Sequence, residues 1–308
     1  MDFKLSELEL RIIVILDNSP TMSELAQRTG VTVGYISRLI TSLQHKGFVE
    51  VSKTGITKHV RLSSNLHAVK LKTILHNRSY MPLAKLLTGS NIQVLAILST
   101  GKTDLTRLLD ESGVSETTIR RNISAFKKHA IVLHQDTEYE LSRDLKDIRE
   151  FLKDYCSYFA VSRLNKISSH GRFITSHGFE FLFTSDMAIR HENIKPTGLT
   201  AISKIIPLMQ TENHYFYSLR ELSCEEIAVH TITIDPYSKR NLTYVILYML
   251  KTKTDANRFI KISHQYGIDI AKSIVNLVNT WEQPEEKFMP SASYIKQKAA
   301  EYDIKWHE

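Results

Sequence analysis

The sequence has little of what disulfide-rich, membrane-spanning and nucleotide-binding proteins require. Its two cysteines, Cys156 and Cys224, are too few and too far apart for a disulfide framework or a zinc site. No apolar run is long enough to cross a bilayer, and residues 1–11 mix acidic with apolar side chains, unlike a secretory signal. Glycine-rich phosphate loops and nucleophile elbows are also missing. We therefore expect a cytoplasmic protein with reduced thiols, no cofactor, no metal and no membrane contact.

What the sequence does contain is an internal repeat. Residues 12–49 align with residues 95–132 without a gap, at an offset of 83 residues. The identical residues that this shift superimposes include Leu25 with Leu108, Gly30 with Gly113 and Arg38 with Arg121. Each copy is predicted to contain a helix, a short helix, a glycine turn, a helix and a strand, which is the order of a winged helix-turn-helix. Two copies in register argue against a chance match and predict DNA as the partner.

The third helix of the first copy carries the side chains predicted to contact DNA. It is expected from about Thr32 to His45, after a tight turn at Gly30 and a short helix capped by Thr21 or Ser23. Its apolar residues at helical spacing are Ile36, Leu39, Ile40 and Leu43. Polar residues outside that buried face can hydrogen-bond bases or phosphates, and an arginine can bind guanine through two hydrogen bonds. The predicted DNA-binding residues are Thr32, Tyr35, Ser37, Arg38, Thr41 and Ser42. The alternative is an ordinary solvated helix face.

A basic hairpin is predicted after this helix. Residues 48–51 alternate like a strand, residues 52–55 form a turn, and residues 57–62 return as the second strand. Lys53, Lys58 and Arg61, with His59 beside them, are predicted to contact phosphates or the minor groove. A solvated hairpin with no binding role is the alternative.

The second copy is a less clear DNA reader. Its helix over residues 115–128 is rich in polar side chains. Those predicted to contact DNA are Thr117, Thr118, Arg120, Arg121 and Lys127, and the same polar set includes Asn122 and Lys128. Its hairpin over residues 131–141 is short and acidic, and Asp136, Glu138 and Glu140 would repel phosphate. Either this copy binds DNA through its helix alone or it is a packing and dimerisation module, and the sequence leaves both open.

Between and after the two copies lie a basic connector and a region of mixed character. The predicted domains are 1–65 and 91–143 for the two winged helix-turn-helix domains, 66–90 for the connector and 144–308 for an α+β domain. The connector has four basic side chains and no acidic one, Lys70, Lys72, Arg78 and Lys85. It is partly helical, is interrupted near Pro82, and either lies along the phosphate backbone or presents a solvated face.

The C-terminal region is predicted to be an α+β effector or oligomerisation domain. It begins with an amphipathic helix over residues 145–168, which is either a dimer helix or the first helix of the domain. The predicted strands are 172–175, 180–184 and 227–234. Four helices are predicted after these strands. The first begins near residue 240, and the others span about 255–266, 269–278 and 292–302, with Ser291 as the cap of the last.

Residues 5–63 resemble the winged-helix domain of MarR-type transcriptional regulators, and the doubled arrangement resembles archaeal regulators of that class. The resemblance is carried by the turn at Gly30, the helix from Tyr35 to Leu43 and the basic segment from Lys53 to Arg61. It implies sequence-specific DNA binding, commonly as a homodimer. This chain departs from the pattern because it continues into a second winged domain, whereas MarR-type proteins dimerise through long helices outside the winged domain.

Residues 197–203 and 226–231 resemble the C-terminal part of abortive-infection antitoxin regulators. That resemblance implies a non-catalytic partner or effector domain, to which a small molecule or a protein is a possible effector.

Catalytic groups in the C-terminal region do not form a recognisable constellation. The candidates are Glu180, Asp186, His191, Glu192, Lys195, His230 and Asp235. A metal-dependent nuclease needs an acid–x–lysine pair on a strand, whereas Glu192 and Lys195 are three residues apart. His230 is expected to be a hydrogen-bonded core histidine. The sequence therefore predicts a non-enzymatic, sequence-specific transcription regulator that binds double-stranded DNA. The alternatives are a nuclease-like enzyme targeted by the winged helices and a protein-interaction scaffold.

Overall fold

Over residues 3–304 the structure is mixed α+β, with 53% of residues in helices and 15% in strands, which confirms the predicted class. The computed structural model describes residues 3–304. The chain divides into two units, Met1–Arg163 and Leu164–Glu308.

The first unit begins with three helices and a hairpin, which we call the first repeat. Its elements are α1 (Glu7–Ile15), α2 (Met22–Thr29), α3 (Val33–His45), β1 (Val49–Thr54) and β2 (Thr57–Leu62). The residues expected from the sequence to begin and end α2 do so. Thr21 caps α2 through a capping box with Glu24, and Gly30 ends α2 in the left-handed conformation at φ +71°. The predicted buried face of α3 is also confirmed, because Ile36, Leu39, Ile40 and Leu43 are all buried.

The second repeat has the same helices at the predicted offset. Its elements are α6 (Ser90–Leu98), β3 (Thr103–Asp104), α7 (Leu105–Ser112), α8 (Glu116–Lys128), β4 (Val132–Gln135) and β5 (Glu138–Leu141). The three helices begin and end 83 residues after α1, α2 and α3. In both repeats the residue that caps the second helix also pairs with the hairpin, Thr21 with His59 and Asp104 with Glu138. The internal repeat of the sequence is therefore a repeat of backbone structure.

The two hairpins differ in length. In the first, strand pairing continues to Thr54 opposite Thr57, so Gly55 and Ile56 alone form the turn, not residues 52–55 as predicted. The second hairpin pairs only four residues on each side and turns at residues 136–137. The first hairpin therefore extends further from its helices.

The connector is packed against its surroundings and is ion-paired. It forms α4 (Leu66–Asn77) and a short α5 (Leu83–Leu86) that begins after Pro82. Lys70 pairs with Glu150 and Asp154, Lys72 with Asp17, and Arg78 with Asp147. Three of its four basic residues are thus ion-paired within the chain, which favours the solvated face over a connector that lies along a phosphate backbone.

Helix α9 (Lys146–Ile167) follows a short 3₁₀ turn (Arg143–Leu145) and matches the predicted helix over 145–168. Its buried residues include Ile148, Leu152, Tyr155 and Phe159. The division between the units falls inside this helix, at residues 163 and 164, rather than at residue 144. Tyr155 contacts Phe48 of the first repeat, and Arg149 donates to the carbonyl oxygen of Ser99 after α6. Its apolar face is thus occupied within the chain, which counts against the dimer-helix alternative.

The second unit is a four-stranded antiparallel sheet with helices. The strand order is β6-β7-β9-β8, from β6 (Gly171–His177), β7 (Glu180–Ser185), β8 (Ile194–Pro196) and β9 (Asn213–Tyr217). The helices are α10 (Gly198–Ile202), α11 (Cys224–Ile234), α12 (Lys239–Thr252), α13 (Ala256–Gln265), α14 (Ala271–Thr280) and α15 (Ala292–Glu301). The main apolar core lies among these helices, and α12 contributes Val245, Ile246 and Leu247 to it.

One predicted strand of this unit is wrong. Residues 227–234 belong to α11, because Ser223 and Glu226 form a capping box that starts a helix ahead of the apolar run. The run is apolar because α11 is buried on several sides, not because it alternates in a sheet. Strands β8 and β9 and helix α10 were not predicted. The caps at Asp255 and Ser291 and the strands near 172–175 and 180–184 are confirmed.

Candidate nucleic-acid interface

A buried ion pair fixes the C-terminal end of α3 against α1. The Lys46 ammonium lies 2.7 Å from Oε1 of Glu9, and both side chains are almost fully buried. Oε2 of Glu9 also accepts from the Ser6 amide, which completes the capping box of α1. Burial of a charge pair is tolerated when hydrogen bonds satisfy both partners, as they do here. The exposed face of α3 is therefore held on a rigid frame.

Ser42 belongs to this frame and not to the exposed face. It is half-buried, and its hydroxyl donates to Oε1 of Glu9 at 2.8 Å. The sequence grouped Ser42 with the polar face because serine is compatible with either environment, and the acid 33 residues away that binds it was not recognisable. Ser42 therefore lies against α1 and is not part of the exposed face of α3.

The exposed face of α3 has one stripe at its centre. Gly34, Arg38, Thr41 and His45 are all exposed and recur at helical spacing. Arg38 lies over the ring of Tyr35, with 5.4 Å between the guanidinium carbon and the ring centroid. This stacking holds the guanidinium above the helix surface while its hydrogen-bond donors stay exposed. Gly34 and His45 were not among the predicted residues, although the helical spacing could have identified His45.

The remaining predicted residues of α3 flank this stripe. Thr32 is exposed and caps the helix, since its hydroxyl accepts from the Tyr35 amide at 3.3 Å. Ser37 is half-buried, and its carbonyl oxygen accepts from the Thr41 hydroxyl at 2.9 Å. A hydroxyl that accepts in a cap still has a proton to donate, so Thr32 remains suited to a phosphate contact.

The first hairpin places two lysines directly opposite each other near its tip. Lys53 pairs in register with Lys58, and both are exposed. Within residues 3–304 neither lysine forms an ion pair or a hydrogen bond. Like charges at opposed positions of a hairpin are destabilising in water, and an anion between them would relieve the repulsion. The tip therefore carries two exposed positive charges at directly opposed positions.

Arg61 and His59 have different surroundings from the two lysines. Arg61 binds Glu50 of the facing strand, with 2.6 Å between Nη2 and Oε2, and these hydrogen bonds hold the pKa of Glu50 below its usual value. Nδ1 of His59 lies 3.2 Å from the carbonyl oxygen of Ser19, which ties the hairpin to the chain ahead of α2. Arg61 is thus partly neutralised, whereas Lys53 and Lys58 are not.

In the second repeat the structure separates the predicted residues of α8. Thr117, Arg121 and Lys127 are exposed, whereas Arg120 pairs with Glu116 and the half-buried Thr118 accepts from the Ser115 hydroxyl. Asn122 is buried, and its amide donates to the Ser90 hydroxyl, so its inclusion in the polar face was wrong. It occupies the position of Leu39, on the buried side of the helix. The exposed stripe equivalent to that of α3 is Thr117, Arg121, Ser124 and Lys128.

The ionisable residues of the second unit serve as structural ties. Arg220 binds Glu180 and Glu226, all three being largely buried. His230 is fully buried, with Thr197 Oγ1 at 2.8 Å on one ring nitrogen and Tyr266 OH at 3.0 Å on the other, which confirms the predicted core histidine on a helix instead of a strand.

The other catalytic candidates lie apart. Lys195 pairs with Glu221, and Asp186 with His170. Asp235 ends α11, and His191 and Glu192 lie in an exposed turn. Across residues 3–304, no three His, Cys, Asp or Glu side chains are grouped closely enough to hold a metal ion. In the same part of the chain, no helix combines the length and apolar character needed to cross a membrane.

Comparison of the chain with protein-family models finds no match, and comparison with curated proteins finds none. The function is therefore inferred from the geometry of the described residues.

Proposed function

We propose that the protein is a transcription regulator that binds double-stranded DNA through two tandem winged helix-turn-helix modules, the two repeats of the first unit. The first repeat is the principal reader. Its α3 is the recognition helix, and Arg38, Thr41, Tyr35 and Thr32 face the DNA. Its hairpin is the wing, and Lys53 and Lys58 contact the sugar–phosphate backbone.

The observation that carries this proposal is the pair of opposed lysines on the hairpin that follows α3, whose own polar stripe is exposed. The opposed lysines are unfavourable for folding in water, and the exposed stripe does not contribute to the core. Both suit DNA, because the lysines can bind phosphates and the stripe can hydrogen-bond base edges in a groove. The hydrogen-bond donors of Arg38 are exposed, and the Glu9–Lys46 pair fixes the helix that carries them. Phosphate contacts would position the protein, and Arg38 would discriminate bases by binding guanine through two hydrogen bonds.

The second unit is proposed to be a non-catalytic effector or assembly domain. Buried ionisable groups of this unit are held in ion pairs that connect the sheet to the helices, as where Arg220 binds both Glu180 of β7 and Glu226 of α11. A catalytic group would instead need to be accessible within a cleft, beside partners that assist it.

Fluorescence anisotropy with labelled duplexes of about 24 base pairs, titrated at several salt concentrations, tests the proposal. We expect the affinity of the wild-type chain to fall steeply with salt. The variant Lys53→Gln/Lys58→Gln should lose affinity for every sequence, and its salt slope should fall by about 2, roughly one for each phosphate that is no longer neutralised. The charge-matched control Lys204→Gln/Lys272→Gln, on exposed residues of the second unit, should bind as the wild type does.

Absence of binding by the wild-type chain to any duplex at low salt would overturn the proposal. Equal losses in the two lysine double variants would show that net charge alone, and not the hairpin, drives binding.

A further inference from the structure

Ile56 is the most exposed large apolar side chain of the described residues. It is 97% exposed and forms the turn of the first hairpin together with Gly55. Single exposed apolar residues are common on protein surfaces, so exposure alone has no functional meaning. The position of Ile56 is more informative. Behind the turn, the first residue pair of the hairpin is Thr54 opposite Thr57, and the second is Lys53 opposite Lys58.

The turn itself does not require isoleucine. Gly55 has φ +62°, which suits glycine, and Ile56 is not among the residues with positive φ. This is the pattern of a two-residue turn with glycine at its first central position, where the second position accepts many residue types. Polar residues are the usual occupants of such turns. The fold thus explains Gly55 and leaves Ile56 unexplained.

We infer that Ile56 is an apolar minor-groove contact, inserted by the hairpin while Lys53 and Lys58 bind the phosphates on the two sides of the groove. The inference rests on the proposed function and specifies how the hairpin meets DNA. The minor groove is about 6 Å wide, is bordered by phosphates on both strands, and is entered by apolar side chains such as isoleucine in many DNA-bending proteins. The hairpin matches this groove, because its apolar tip residue is followed by two opposed lysines that can reach the phosphates on both sides.

The contact has a chemical consequence for sequence preference. The 2-amino group of guanine projects into the minor groove, where A·T pairs present only acceptors. An aliphatic side chain cannot accept a hydrogen bond from that amino group and is displaced by its bulk. The tip should therefore favour A·T pairs, and also inosine·cytosine pairs, in which the amino group is absent while the major-groove acceptors of guanine remain.

The test uses the full chain and three labelled duplex probes with alternating sequences, dA-dT, dG-dC and dI-dC. We expect the wild-type chain to bind dA-dT and dI-dC about fivefold more tightly than dG-dC, a difference of roughly 1 kcal/mol. Ile56→Ser should bind all three with the affinity that the wild type has for dG-dC. The matched control Thr137→Ala, at the tip of the second hairpin, should keep the wild-type preference. Since Ile56 is exposed, the melting temperature of Ile56→Ser should equal that of the wild type.

The outcomes separate this inference from the proposed function. If the wild-type chain binds all three duplexes equally, or if Ile56→Ser retains the preference, DNA binding stands and the minor-groove contact is overturned. If the wild-type chain binds none of them at low salt, both fall.

Discussion

The two repeats of the first unit have the same helical frame but different polar chemistry. Their three helices begin and end at a constant offset, and the left-handed glycines Gly30 and Gly113 coincide. Yet the buried Glu9 of the first repeat corresponds to the fully buried, apolar Ile92 of the second. The frame therefore depends on shared apolar positions, on the capped second helix and on the glycine turn, and it accepts either a charge pair or an apolar side chain at the same place.

The exposed sides of the two repeats differ more than their cores do. Lys53 at the first tip corresponds to Asp136 at the second, and the first hairpin is longer. On the helices, Arg38 stacks on Tyr35, whereas the position of Tyr35 is taken by Thr118 in the second repeat. Specialisation thus lies on the surface, which is where one copy of a repeat can change without loss of its fold.

The largest expected effect comes from breaking the buried pair that only the first repeat has. Glu9→Gln leaves the Lys46 ammonium buried without a countercharge, so the free energy of unfolding of the first unit should fall by about 3–5 kcal/mol. The double variant Glu9→Ile/Lys46→Met removes both charges and places isoleucine where the second repeat has Ile92, so it should recover most of the loss. Urea denaturation measures both. A loss under about 1 kcal/mol for Glu9→Gln would mean that the pair is not needed for the frame.

A second asymmetry is a buried histidine beside the first repeat. Burial lowers the pKa of His67 to about 4, and Nε2 donates to the carbonyl oxygen of Lys46 at 3.0 Å. The unfolded chain takes up this proton near its ordinary pKa of about 6.5, so stability is full above that pH and falls by up to about 3 kcal/mol as the pH drops towards 4.

The His67 effect is measured by urea unfolding at several pH values in the wild type and in His67→Asn. Because burial also lowers the pKa of His214 in the second unit to about 4, the test is the difference between the two proteins. The variant should lose less stability on acidification. Parallel pH profiles would contradict the assignment.

The third prediction concerns Gly34, which corresponds to Thr117 in the second repeat. A Cβ at Gly34 would meet nothing within 4 Å, so the fold does not require glycine there. We expect Gly34→Ala to raise stability by up to about 0.5–1 kcal/mol and yet to weaken DNA binding about tenfold, because the methyl group would hold the helix away from its partner. Thermal unfolding and anisotropy measure the two effects. Thr117→Ala is the matched control, and unchanged DNA affinity in Gly34→Ala would refute close approach at this position.

The smallest expected effect lies just after the third helix of each repeat, where the chain takes a positive φ. Gly47 has φ +75°, and the equivalent Ala130 has φ +53°. Alanine is strained in this conformation, and Ala130→Gly relieves the strain. Glycine also gives the unfolded chain more conformational freedom, which offsets part of the gain, so the net stabilisation of the first unit should be about 0.5–1 kcal/mol. Gly47→Ala should destabilise it, since the added Cβ would lie 2.3 Å from the Tyr158 ring. Equal thermal stability in Ala130→Gly and the wild type would argue against strain at this turn.

The sequence predicted the first unit well because its signals are local. Periodic apolar residues, the cap at Thr21 and the turn at Gly30 act within a few residues of where they stand, and the repeat doubled the evidence for each. Ser42 and Asn122 were misplaced because their positions depend on partners far away in sequence, Glu9 and Ser90.

The second unit was harder to predict from sequence. Residues 227–234 are apolar without clear periodicity because α11 is buried on several sides, and their β-branched residues favoured a strand. The capping box of Ser223 and Glu226 was the local signal that could have corrected this. The ionic ties of Lys70 and Arg78 to α9 depend on tertiary packing, so the connector's charge alone suggested a binding role that the structure does not support.

The most direct test of the central claim, that the first repeat is the principal DNA reader, compares Arg38→Ala with Arg121→Ala. The two arginines occupy equivalent exposed positions, so the variants lose the same side chain from the same frame. With a duplex selected from random sequences by the wild-type chain, Arg38→Ala should lower the binding free energy by about 1–3 kcal/mol and relax the preference at one base position. Arg121→Ala should cost less than about 0.5 kcal/mol. Full affinity in Arg38→Ala, or a larger loss in Arg121→Ala, would contradict the account.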